Sequence, residues 1–91
     1  MKIYKQLLEL GTQTIELPLY AKIITVHEQF AQLTMWYIFN EESTITEKRT
    51  FSVIGTGHII PEGSEYIGTI HQEQYVWHVF EHKQVSAVGN L

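Results

Sequence analysis

Short stretches of alternating apolar and polar residues, not helical stripes, organise this chain. Residues 21–28 set Ile24 and Val26 against Thr25 and His27. This is the period of two that sends successive side chains to opposite faces of a strand. Residues 33–39 are apolar on both faces, with Leu33, Met35, Tyr37 and Phe39 on one side and Thr34, Trp36 and Ile38 on the other. Such a strand is expected to be central in a sheet or part of a subunit interface. Residues 49–54 alternate again, Phe51 and Val53 opposing Thr50 and Ser52. Residues 65–71 predict a further strand, broken by Gly68, and residues 75–81 the last, with Tyr75, Trp77 and Val79 opposing Val76, His78 and Phe80.

The beginning of the chain is less regular. In residues 2–10, Tyr4, Leu7 and Leu8 allow a short helical stripe, but the run stops at Gly11-Thr12-Gln13 and reads as a strand. Residues 14–17 follow and Pro18 closes them. A hairpin over residues 5–17, turning near Gly11, is the expectation. Residues 40–48 are polar and without period, which predicts an exposed loop. Pro61-Glu62-Gly63-Ser64 is a strong turn signal. About seven short strands joined by tight turns predict an all-β fold: a small antiparallel β-sandwich or partly open barrel. One β domain is expected over residues 1–84, with a short tail at 85–91.

Composition narrows the function classes. Ten acidic residues against six basic ones give a net charge of -4, which disfavours a nucleic-acid polymer as partner, because phosphate neutralisation dominates that affinity. The absence of cysteine excludes a disulfide-stapled scaffold and a thiolate zinc site. No apolar run approaches the ~18 residues of a membrane-spanning helix, and the first residues are too polar for a secretory signal, so a cytoplasmic location is expected. At 91 residues the core is small, and assembly into a homo-oligomer would bury more apolar surface.

Candidate contact residues follow from residue chemistry. In Gly55-Thr56-Gly57-His58 the glycines permit close backbone approach, successive N–H groups can form an anion nest, and Thr56 and His58 add side-chain donors. A bulge or corner that needs glycine for geometry is the alternative. Trp36 and Trp77 offer stacking rings, or core and interface packing. Arg49 offers an anion clamp, or an ordinary ion pair with Glu47 or Glu81. His78 lies beside a hairpin turn with His71, without the convergence a metal site needs. Phe30, between Gln29 and Ala31, is expected at a hairpin tip as a contact residue or folded back on the core. The ligand-binding set is therefore Arg49, Thr56, Gly57, His58, Trp36, Trp77 and His78. No nucleophile elbow or paired carboxylates appear, so no catalytic set, cofactor or metal is expected.

The segments Arg49-Thr50-Phe51-Ser52-Val53-Ile54-Gly55-Thr56-Gly57-His58, Tyr66-Ile67-Gly68-Thr69 and Val76-Trp77-His78-Val79-Phe80-Glu81 together resemble a family of small uncharacterised proteins encoded by bacteriophages and prophages. Gln13-Thr14-Ile15-Glu16-Leu17-Pro18, Ala21-Lys22-Ile23-Ile24-Thr25-Val26 and Trp36 match the same pattern. The chain departs from it at Phe30, where glycine is usual, and at Asn40-Glu41, where aspartate-proline is usual. The resemblance implies a phage setting, in the bacterial host or in the virion, and no particular activity. The expectation is a non-enzymatic protein that antagonises a host defence process, by binding a host protein or by sequestering a nucleotide-like signal. A virion or assembly component is the alternative.

Overall fold

The computed structural model describes residues 1–83 and consists of seven strands. They are β1 (Lys2–Leu8), β2 (Gly11–Pro18), β3 (Lys22–Gln29), β4 (Gln32–Phe39), β5 (Thr46–Gly55), β6 (Ser64–Gln72) and β7 (Tyr75–His82). Sheet A has the order β1-β4-β3 and sheet B the order β2-β5-β7-β6; every pairing is antiparallel. The two sheets pack as a sandwich, and no closed barrel forms among the described residues. The expected tail at 85–91 lies outside the described residues.

The strand period assigns the core directly. Leu33, Met35, Tyr37 and Phe39 of β4 point inward from sheet A, as does Val26 of β3. Phe51 and Val53 of β5, Val79 of β7, Ile70 of β6 and Leu17 of β2 meet them from sheet B. Phe51, Met35, Ile70 and Val79 are fully buried, and a side chain of this size contributes about 2 kcal/mol on leaving water. β4 is the central strand of its sheet, in keeping with its apolar character on both faces.

Two expectations need correction. β1 and β2 do not form a hairpin: β1 pairs with β4 and β2 with β5, so the chain changes sheets at Glu9-Leu10. The turn precedes Gly11, whose φ of +93° requires glycine. The polar stretch after Asn40 is also not all loop. Thr46, Glu47 and Lys48 pair with Pro18, Leu17 and Glu16. Their polar side chains hide a strand whose ladder is set by β2.

The sandwich closes along one side, where β3 packs beside β6. Both strands carry a bulge there, between Ile23 and Thr25 and between Tyr66 and Gly68. A Cβ on Gly68 would lie 2.7 Å from Cγ2 of Val26, so the strands approach this closely only because position 68 has no side chain.

Candidate functional site

Register decides which residues share the outer face of sheet A. Cross-strand partners place Ile3, Lys5 and Leu7 of β1 beside Ile38, Trp36 and Thr34 of β4, with Lys22, Thr25 and His27 of β3 on the far side. The bulge adds Ile24, which is exposed together with Ile3 and Leu7. Ile3, Ile24, Thr25, His27 and Trp36 line a shallow groove of about 430 Å³. The outward positions of these three strands include Lys5 and Lys22 and no Asp or Glu. On a chain of net charge -4, this face is locally basic with an apolar centre. Lys5 Nζ donates to Gln29 Oε1 at 2.7 Å and lies 6.0 Å from the ring of Phe30.

Phe30 and Ala31 form the two-residue turn joining β3 to β4, as the sequence predicts, and Phe30 is 86% exposed. Their φ values of 52° and 64° are those of a type I′ turn. That turn ordinarily takes Asn-Gly, because a side chain in the left-handed region crowds its own backbone.

The residues around Gly55 form a different place. His58 N donates to the Gly55 carbonyl at 3.2 Å, and Gly57 has φ +94°. This is a type II turn, whose third position needs glycine. It opens the segment that crosses over β7 from β5 to β6 on the outer face of sheet B. Ile54, Thr56, His58, Ile60, His78 and Phe80 line a cleft of about 230 Å³ beneath it. Thr56 Oγ1 lies 3.0 Å from His78 Nε2, Thr69 Oγ1 lies 3.1 Å from His78 Nδ1, and the Tyr66 hydroxyl lies 2.6 Å from Thr69 Oγ1. Both imidazole nitrogens are thus engaged, one donating and one accepting when the ring is neutral. Trp77 packs against the core, stacks on Tyr75 with centroids 5.6 Å apart, and donates from Nε1 to Gln72 Oε1. His71 pairs with Val76, two steps along the ladder from His78.

Arg49 stands at the other end of β5, about 20 Å from Gly55 along the strand. Its Nε and Nη2 donate to the two carboxylate oxygens of Glu81 at 2.6 and 2.8 Å, and Nη1 donates to the Ala21 carbonyl. The pair links sheet B to the chain entering β3, and the side chains are 14% and 18% exposed. Hydrogen bonding to Glu81 pushes the pKa of Arg49 up, against the opposing effect of burial, with the charges of Glu81 and Glu47 adding to the rise.

The fold therefore gathers Thr56, Gly57, His58, Trp77 and His78 around one loop and places Trp36 and Arg49 elsewhere. Trp36 faces out of the opposite sheet. Ile3, Lys5, Lys22 and Ile24 were not singled out from sequence. Their signal was the alternation Ile3-x-Lys5-x-Leu7, readable once residues 2–8 are taken as a strand.

Among the described residues no helix is long and apolar enough to cross a membrane. Searches of curated proteins and of solved structures each found no match to the chain. One family model matches, that of a domain of unknown function, DUF7352, and it spans residues 1–89. With almost its whole length matched, the chain belongs to the DUF7352 family.

Proposed function

We propose that this chain is a non-enzymatic binding protein that seats an acidic, apolar-bearing surface of a host protein on the outer face of sheet A. Its resemblance to phage and prophage proteins supports a role inside the bacterial cytoplasm as an antagonist of a host process. The observation that carries the reading is the face itself: Trp36 flanked by Ile3 and Ile24, with Lys5 and Lys22 and no carboxylate. An apolar centre with a polar rim is the anatomy of a protein interface. The local positive charge selects an acidic partner and speeds its encounter. It also disfavours stacking this face on its copy, which would bring four lysines together.

A nucleotide-like ligand is less well supported. The Arg49 guanidinium is occupied by Glu81 and Ala21, and the ring of Trp36 lies on the opposite sheet from Thr56, His58 and His78. Trp77 does lie near Thr56 and His58, but its ring packs on the core and on Tyr75.

The test is selection of a random dodecapeptide display library on the immobilised full chain. Enriched peptides are expected to be acidic and to carry aromatic or aliphatic residues. Trp36→Thr should weaken their binding about tenfold or more, as for a buried anchor. Lys22→Glu should weaken it less and flatten its salt dependence. Peptides that bind Trp36→Thr as tightly as wild type would sink the proposal.

A further inference from the structure

The strand edges of the sandwich are not equally protected. An edge presents unpaired N–H and C=O groups that template pairing with another strand, and bulges, prolines and charges blunt it. β2 ends in Pro18. β3 and β6 are both bulged and lie against one another. β1 has neither a bulge nor a proline, and its charges are Lys2 at its start and Lys5. Its seven residues run in unbroken register with β4, contain neither proline nor glycine, and leave the other edge unpaired among the described residues. Five of the seven are exposed, including Ile3 at 60% and Tyr4 at 54%. Lys5, the charge at the middle of the strand, is drawn across the sheet to Gln29 and Phe30 and does not guard the edge.

We propose that β1 is completed by β1 of a second copy, antiparallel across a two-fold axis at Tyr4, making sheet A a continuous six-stranded sheet. A two-fold contact requires a self-complementary patch, and this register supplies one. Tyr4 meets Tyr4 of the second copy. Ile3 meets the aliphatic stem of Lys5, and Lys2 meets Gln6, so no like charges oppose one another. Centring on Lys5 instead would set lysine against lysine. Tyr4 already packs on Phe39 with centroids 4.7 Å apart, so the pairing extends an aromatic row across the axis. Partners of like parity keep both cores on the same side of the sheet. The two Trp36 faces then form one surface. The inference does not depend on what that surface binds, since Tyr4 points to its opposite side.

Sedimentation of the full chain over a range of concentrations should show a dimer. Tyr4→Lys should shift it to monomer while circular dichroism stays that of the β fold. The chain has no cysteine, so Tyr4→Cys places one thiol per copy at the axis, where mild oxidation should cross-link the dimer. Leu7→Cys, three residues from the axis, should cross-link far more slowly. A wild-type monomer at every concentration, a dimer untouched by Tyr4→Lys, or equal cross-linking at the two positions would each overturn the proposal. Peptide selection on Trp36 is read separately, so either reading can fail alone.

Discussion

The two outer faces of this sandwich have been treated differently by the sequence. On sheet B the outward residues satisfy one another. Thr12 Oγ1 lies 2.7 Å from Ser52 Oγ, which lies 2.6 Å from His82 Nε2; Thr14 and Thr50 join hydroxyls at 2.9 Å; Thr46 donates to Glu16; and His78 sits between Thr56 and Thr69. The crossover to β6 then roofs part of this face. On sheet A the equivalent positions include Ile3, Leu7, Ile24, Trp36 and two lysines, and among the described residues no segment crosses over them. Hydrogen-bonded hydroxyls stabilise a face that stays in water, whereas exposed apolar side chains gain free energy only when something covers them. The difference separates a face that serves the fold from one available to a partner.

That contrast requires the two sheets to keep their relative placement, which Arg49 helps to fix. The largest expected effect is therefore at Arg49. Arg49→Ala strands the Glu81 carboxylate beside Glu47 and Glu65 and should lower stability in urea by about 2 kcal/mol, below the range of a fully buried pair because each partner keeps some exposure. Arg49→Lys should recover little, since one ammonium cannot replace a fork that binds Glu81 twice and Ala21 once. A loss near zero would show a surface ion pair of the ordinary weak kind.

Next in size is Ser52, which is 1% exposed and lies between Thr12 and His82. Ser52→Ala leaves the imidazole without its protein partner and should cost about 1.5 kcal/mol. Equilibrium unfolding measures it. An unchanged midpoint would mean that water replaces the hydroxyl, and the polar network of sheet B would then contribute less to the fold than its geometry suggests.

Much of this division was legible in the sequence. The two-faced apolar pattern of residues 33–39 announced that Trp36 would have to be covered or would be left over. The period of two located β3, β4, β6 and β7 within a residue or two. The sharing of β1 and β2 between different sheets was not legible, because alternation fixes which face a side chain takes but not which strand lies beside it. For the same reason Trp36, Arg49 and the Gly55 turn fall into one candidate set by residue chemistry and stand apart in the fold. Their separation is set by pairings such as Trp36 with Lys5 and Phe51 with Glu81, contacts between residues some thirty apart that no local pattern encodes. Arg49 itself admitted both an anion clamp and an ion pair with Glu81, and only the register of β5 on β7 brings the second about.

The smallest effect expected is a gain, and it sharpens the contrast at the border of sheet A. Phe30 adopts a left-handed backbone that costs a residue with a side chain about 1 kcal/mol, and its ring is exposed. The fold gains little from the ring beyond the 6.0 Å approach of Lys5, an exposed cation–π contact worth about 0.5 kcal/mol. Phe30→Gly relieves the first term and forfeits the second, so stability should rise by about 0.5 kcal/mol in urea unfolding. If the docking surface extends from Trp36 over the hairpin tip, the same substitution should weaken the selected peptides severalfold, moving stability and binding in opposite directions. A residue that strains the fold and serves only the partner behaves in this way. If stability falls instead, the contact with Lys5 outweighs the strain. Peptide binding untouched by Phe30→Gly would confine the docking surface to the groove around Trp36.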